Sequence, residues 1–308
     1  MKHYSVMCEE IITGLNIKKG GIYVDATLGY GGMSKKILEQ LDNTGMLIAF
    51  DQDEEAINYS DELLSNVADN YQIIKTNFCN LKEKLNEIGI TKIDGIIFDL
   101  GFSSPQIDDA SRGFSFMNDG LLDMRMDKSA KLTAKEVINK YKMDDLVNCF
   151  FLYGEEKMAR VIAQKIVEKR SEKAITRTLE LVDVIKEAVG ANYFYKQHPE
   201  RKIFQALRIL VNDELGVLKK ALVPAIEMLN KEGRICVITF HSLEDRIVKN
   251  IFKENAEVND IFKGLPTIPV EYQPKLKLIT KKPLIAKEEE IKENSRSHSA
   301  KLRIAERI

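Results

Sequence analysis

The stretch Ile22 to Ser34, reading IYVDATLGYGGMS, constrains the fold more than any other. Ile22, Tyr23 and Val24 suit a strand buried on both faces of a parallel sheet. A turn with Gly29, Gly31 and Gly32 follows, and then a helical pattern from Ser34 through Ile37, Leu38 and Leu41. Glycines at a strand-to-helix turn admit positive φ at little cost and let a ligand come close to the backbone. The helix start adds unpaired N–H groups aimed at whatever binds there. The next strand, Met46 to Asp51, ends in a carboxylate 22 positions after Gly29. At that spacing in a βαβ unit an acid reaches ribose hydroxyls. The ligand class is adenosine-containing, and two details favour S-adenosylmethionine over a nicotinamide dinucleotide. The glycines run Gly-x-Gly-Gly instead of the spaced dinucleotide pattern, and a second acid, Asp25, stands just ahead of the turn.

The chain continues as alternating strands and helices. Asp53 and Glu54 open a helix with acids in its first turn. A third strand spans Tyr71 to Phe78, whose ring is expected either in the core or against adenine. A short helix covers Leu81 to Ile88, and a fourth strand, Ile93 to Asp99, again ends in an acid. The alternation then stops. From 107 to 211 the pattern is helical, with Met158, Ile162 and Ile166 on one face and Val182, Ile185 and Val189 on another closed by Gly190. Phe204 to Leu222 reads as one long amphipathic helix, interrupted or kinked near Pro224. A fifth strand, Arg234 to His241, precedes a helix from Leu243 that Ser242 can cap. Leu276–Ala286 and Ser299–Ala305 read as two last strands, a closing antiparallel hairpin separated by the charged run 287–296. The fold class is therefore α/β, a Rossmann-like, mostly parallel sheet with that hairpin and an inserted helical domain. The core is expected at 1–106 and 212–308, and the insertion at 107–211.

Composition excludes several classes. The net charge is −1, so any nucleic-acid surface must be local. No stretch approaches the length of a membrane span, and no leader is read at the N-terminus. The four cysteines and four histidines are scattered, which predicts reduced thiols, a cytoplasmic protein and no metal site.

In an open α/β sheet, ligands bind beyond the strand carboxyl ends. Gly31, Gly32, Asp51, Phe78, Asp99 and His241 should therefore share one crevice. A carboxylate at Asp99 can accept a hydrogen bond from an exocyclic amine and draw its nitrogen toward sp³ geometry; the alternative is that it only holds the loop or the cofactor. Phe102, three residues on, is a candidate either for stacking the base or for the core. Arg112 and Arg125 lie in a Gly-, Ser- and Asp-rich segment and are candidates for phosphate contact, with ion pairs to nearby aspartates as the alternative. His241 is a candidate capping or substrate-contacting group. A Ser-His hydrolase is excluded, because neighbouring residues at a strand end make no nucleophile–base pair and no Gly-x-Ser-x-Gly elbow exists.

Nine stretches carry a resemblance: DATLGYGG (Asp25–Gly32), FDLGFSSPQ (Phe98–Gln106), RGFSF (Arg112–Phe116), LDMRM (Leu122–Met126), YGEE (Tyr153–Glu156), FQALRI (Phe204–Ile209), VNDEL (Val211–Leu215), FHSLEDR (Phe240–Arg246) and SAKLRIAER (Ser299–Arg307). Together they resemble, nearly end to end, the bacterial small-subunit ribosomal RNA methyltransferases of the MraW family, which modify cytosine N4. The resemblance implies a class I S-adenosylmethionine-dependent methyltransferase whose helical insertion serves RNA. Its partner would be 16S rRNA in the small ribosomal subunit, with a decoding-region cytosine as target. It places cofactor contacts at Gly31, Gly32, Met33, Asp51, Phe78, Asp99 and Gln106, and the target base at Asp99 and Phe102. Three positions depart: the family commonly has His at Met33, a basic residue at Tyr30 and often Pro at Leu121. The oligomeric state is open, a homodimer included. A non-catalytic RNA-binding assembly factor and a nicotinamide-dependent oxidoreductase are the competing classes.

Overall fold

The computed structural model describes residues 5–101, 104–258, 260–262, 268–269 and 272–308. The chain divides into two compact units, one of 1–101 with 215–308 and one of 102–214.

The first unit is a twisted eight-stranded sheet. Its strands are β1 (Ile22–Asp25), β2 (Met46–Asp51), β3 (Tyr71–Lys75), β4 (Ile93–Asp99), β5 (Leu229–Thr239), β6 (Leu276–Leu278), β7 (Leu284–Ile285) and β8 (Lys301–Arg307). The order is β3-β2-β1-β4-β5-β8-β6, with β7 also on β8. The first five run parallel, and β8 pairs antiparallel with β5, β6 and β7. This is a Rossmann-like methyltransferase architecture. The order of strand addition reverses between β1 and β4, which is where a doubly wound sheet opens its ligand crevice.

Side-chain alternation explains why the sheet sits inside. Val24, Ile48, Phe50, Ile96, Phe98, Ile235 and Val237 enter one apolar layer. Tyr23, Leu47, Ala49, Ile97, Cys236 and Ile238 enter the other. Period-2 packing with apolar residues at both parities requires cover on both faces, and crossover helices supply it. The early helices are α1 (Cys8–Leu15), α2 (Gly32–Leu38), α3 (Glu54–Ser65) and α4 (Leu81–Glu87). Asp53 caps α3 by accepting the Glu55 N–H at 3.1 Å.

The second unit is helical: α5 (Ser104–Asp108), α6 (Ala134–Lys140), α7 (Met143–Leu152), α8 (Ala159–Glu172), α9 (Thr178–Val189), α10 (Ala191–Gln197) and α11 (Pro199–Asn212). It has its own core, with Phe150, Ile162, Ile166, Leu181, Ile185, Ile203 and Leu207 at its centre. Its extended pairing, among the described residues, is one isolated bridge between Leu121 and Arg177. The first unit resumes with α12 (Glu214–Met228), α13 (Ser242–Ala256) and α14 (Glu288–Glu293).

Several expectations change. The single helix expected over Phe204–Leu222 is two, because Asp213 takes left-handed φ 47 and ends α11. Pro224 lies within the second of them. The third strand stops at Lys75, and Phe78 opens a 3₁₀ turn that Asn77 caps. The fifth strand starts earlier, at Leu229, and stops at Thr239, so His241, not Ser242, is the helix cap. The closing element is a three-strand arrangement around β8, and the charged run contains a helix, α14, whose first three residues are glutamates.

Candidate active site

Three acids end adjacent parallel strands: Asp25 on β1, Asp51 on β2 and Asp99 on β4. Their partners differ. Asp25 is fully buried; its Oδ1 accepts the Thr27 N–H at 3.1 Å and its Oδ2 accepts the Ser34 hydroxyl at 2.7 Å. It therefore locks the start and end of the glycine turn together. Asp51 accepts three backbone N–H groups, Gly29 on Oδ2 at 2.8 Å and Gln52 and Asp53 on Oδ1 at 2.7 and 2.8 Å. Each of its oxygens keeps further acceptor capacity. Asp99 is half-buried, and no described residue donates to its carboxylate, while its own N–H donates to Thr27 Oγ1 at 2.7 Å.

Electrostatics separate the acids further. Burial pushes the Asp99 carboxyl up to about 7, with the nearby charges of Asp25 and Glu244 adding to it. Burial likewise raises Asp25 to about 6, against the lowering effect of its Ser34 and Thr27 hydrogen bonds. Asp51 is also raised by burial, opposed by its three N–H donors. An acid without donors inside a low-dielectric cleft keeps its proton longest.

The glycine turn is held by conformation and by contact. Gly29 and Gly31 have φ 50 and 75. A Cβ at Gly31 would stand 3.0 Å from Ser60 Oγ, and one at Gly32 would stand 2.4 Å from Ser5 Oγ. Ser60 donates to the Gly29 carbonyl at 2.8 Å. Among the described residues, the N–H groups of Gly32, Met33 and Ser34 meet no acceptor. Met33 buries its side chain among Ile11, Ile37 and Leu38, with the Cys8 thiol 3.9 Å from its sulfur. Its side chain is spent in the apolar core, so a histidine's ring chemistry has no counterpart here. Tyr30 lies 5.1 Å from Tyr59, ring centre to ring centre.

Phe78 is half-buried and meets Phe98 edge-on, with centroids 5.6 Å apart. His241 caps α13: its Nδ1 accepts the Glu244 N–H at 3.4 Å, and Glu244 Oε2 accepts the N–H groups of Phe240 and His241 at 2.9 and 3.3 Å. Its Nδ1 is thus given to the helix start, while its buried Nε2 lies 3.1 Å from Glu244 Oε1 and meets no hydrogen-bond partner among the described residues. Phe102 lies outside the described residues. Gln106, on α5, belongs to the helical unit and is buried.

The two loop arginines serve their own loop. Arg112, 5% exposed, donates to the carbonyls of Arg125 and Met126 at 3.0 and 3.1 Å. Arg125 forks onto Asp123, at 2.8 and 2.7 Å, and donates to the carbonyls of Lys128 and Ala130. The alternative of local pairing describes Arg125, and burial takes Arg112 away from a phosphate. Sequence reasoning passed over Thr27, Ser34, Ser60 and Glu244, the groups that hold the acids and the turn. Their only signal was position: a hydroxyl two residues after Asp25, and a glutamate three after His241 in a capping pattern.

Comparison with known proteins bears on this site. A family model described as the MraW methylase family matches residues 1–308. Among solved structures, the chain is similar to a Clostridium thermocellum protein provisionally named an rRNA methylase, at 13% identity and TM-score 0.44, covering 98% of this chain and 95% of that one. It is similar to an rRNA methylase of Streptococcus thermophilus at 13% identity and TM-score 0.43, covering 98% and 93%. A Streptococcus mutans protein in complex with SAH, provisionally named a methyltransferase, gives 14%, 0.43, and 99% of both chains. At such identities and TM-scores these likenesses assign no chemistry. The family match extends over the whole sequence, and the chain therefore belongs to the MraW methylase family, as an S-adenosylmethionine-dependent methyltransferase.

Proposed function

We propose that the protein transfers a methyl group from S-adenosylmethionine to the exocyclic N4 amine of a decoding-region cytosine in 16S rRNA of the small ribosomal subunit. The observation that carries this reading is the Asp99 carboxylate, which ends β4 at the sheet's switch point and meets no donor among the described residues. Asp25 and Asp51, by contrast, are engaged by the turn. An acid with open lone pairs beside a cofactor turn suits an incoming NH₂ group.

The residues fit the cofactor. The turn backbone stands open at Gly29, where a Cβ would meet only the Thr27 carbonyl at 3.9 Å, and its N–H groups suit a carboxylate. Asp51 holds the turn and directs its remaining lone pairs at ribose hydroxyls. Phe78, in a T-shaped contact with Phe98, offers a ring face to adenine. Gly31, Gly32 and Met33 act through the backbone. When bound, the cofactor supplies an electrophilic methyl on sulfur. Asp99, ionised, accepts a hydrogen bond from the amine, turns its lone pair out of the ring plane and holds it in line; positioning of this kind contributes several kcal/mol. The amine proton leaves as the new N–C bond forms, to Asp99 or to water. Phe102 packs the base, which has left its stack to enter the crevice.

The test is methyl transfer from labelled S-adenosylmethionine to small subunits lacking the modification, followed by digestion to nucleosides and mass identification. N4-methylcytidine with wild-type protein and none with Asp99→Ala is the expected result. Cofactor binding with no transfer to subunits or to free RNA would favour the assembly-factor reading instead.

A further inference from the structure

The YGEE stretch, Tyr153 to Glu156, has no part in the chemistry above, yet it is built with care inside the helical unit. Glu156 is fully buried. Its Oε1 accepts the Met158 N–H at 2.8 Å and the Tyr193 hydroxyl at 2.6 Å, and its Oε2 lies 3.2 Å from Lys202 Nζ. Gly154 packs on the Lys202 carbonyl, where a Cβ would stand 2.7 Å away, and Gln205 donates to the Tyr153 carbonyl at 3.0 Å. One buried carboxylate thus draws together the start of α8, the middle of α10 and the start of α11.

Exposed cations stand beside this hub, unlike the acid-paired lysines farther along α8. Toward the far end of α8, Lys165 and Lys169 both pair with Glu187, and Lys173 pairs with Glu180. At the hub, Lys157, Arg160 and Arg201 are exposed and meet no acid among the described residues. Lys196, one helical turn from Tyr193, is in the same condition. Arg201 lies over the Phe116 ring at 5.8 Å. Phe151 and Leu152, just before the YGEE stretch, are 60% and 56% exposed. Glu155 and the buried Glu200, which pairs with His198, are the acids alongside. Lys131, Lys135 and Lys142 also meet no acid among the described residues, but they belong to the region around α6. Solvated cations left without acids, next to exposed aromatic surface, are what a polyphosphate strand with bases recognises.

We infer that the face around Glu156 grips RNA: Lys157, Arg160 and Arg201 contact phosphates, and Phe151 gives a stacking surface. This rests on the RNA reading above and deepens it. Each phosphate contact adds to the salt dependence of binding by a slope of roughly 0.7–0.9. The experiment uses the full chain and protein-free 16S RNA across a salt series. It compares wild type, the triple variant Lys157→Ala/Arg160→Ala/Arg201→Ala, and a control, Lys165→Ala/Lys169→Ala, drawn from the paired cations.

The triple variant is expected to lose at least tenfold in affinity, and its log–log salt slope should shrink by about 2–3, while the control keeps the wild-type slope. Its thermal midpoint should stay near wild type, because none of the three residues is buried. A triple variant with wild-type slope and affinity would overturn the inference and leave the methyltransferase reading standing. Loss of methylation on intact subunits with unchanged binding to free RNA would also overturn it, assigning the face to a ribosomal protein. Wild-type protein with no salt-dependent RNA binding and no methyl transfer would instead remove the RNA reading itself.

Discussion

Gly29 donates its N–H to Asp51 Oδ2 at 2.8 Å, so the acid at the end of β2 and the turn after β1 are one unit. The same carboxylate holds Gln52 and Asp53 through its other oxygen. Hydrogen bonds to a charged acceptor contribute more than neutral ones. Asp51→Ala should therefore lower unfolding free energy by about 2 kcal/mol and weaken S-adenosylhomocysteine binding. Chemical denaturation and calorimetric titration read the two effects. Unchanged stability would mean that water replaces all three contacts.

Asp99 carries the pH dependence. Its carboxyl, raised to about 7 by burial and by Asp25 and Glu244, accepts from an amine far more strongly when ionised. The methyl-transfer rate at saturating cofactor should rise with pH through about 7 and then level. Asp99→Asn should lower turnover at least a hundredfold and flatten that rise, with RNA affinity little changed. A profile flat from pH 5.5 to 8.5 in wild type would remove the acid from the reaction.

The same burial has a cost in stability, and its sign is the reverse of the usual acidic case. Folded-state values of about 6 for Asp25 and about 7 for Asp99 lie above the ordinary carboxylate value near 3.9. Between these limits the folded chain holds more protons than the unfolded one. The stabilising contribution is complete below about pH 3.9 and is lost as pH rises through 6 and 7. Asp99→Asn should therefore gain on wild type in thermal midpoint between pH 5 and 8. A constant difference across that range would contradict the assignment.

Two glycines with similar backbones separate strain from contact. Gly31 and Gly89 have φ 75 and 80, but a Cβ at Gly31 meets Ser60 at 3.0 Å while one at Gly89 meets nothing within 4 Å. Gly89→Ala should cost about 1 kcal/mol, the left-handed penalty alone. Gly31→Ala should cost more and should also weaken S-adenosylhomocysteine binding, which Gly89→Ala leaves intact. Equal losses in both measurements would show that Ser60 gives way freely.

The strands were the most legible part. Continuous apolar runs at Met46–Asp51 and Ile93–Asp99 mark buried parallel strands, and β2 and β4 have those bounds. Where a boundary depends on one residue's conformation, the pattern was silent. Asp213 breaks a helix by adopting φ 47 without glycine or proline, while the apolar spacing runs on through it. The sequence offers His241 as a capping or substrate-contacting group but favours Ser242 as the cap, since serine is the commoner one. Arg112 illustrates a deeper limit. An arginine among Gly, Ser and Asp looks solvated, and its burial against the Arg125 and Met126 carbonyls follows from tertiary packing.

The strand order also sets a timetable for synthesis. β5 pairs with β4, Ile97 opposite Cys236, although the whole helical unit lies between them in sequence. A ribosome adding about 5–20 residues per second needs on the order of ten seconds to pass from one strand to the other. Throughout that interval β4 presents an unpaired edge of Ile96, Ile97 and Phe98, the kind of edge that recruits other chains. The nascent chain is thus most exposed to aggregation midway through its own translation, and most in need of a chaperone before its last third exists.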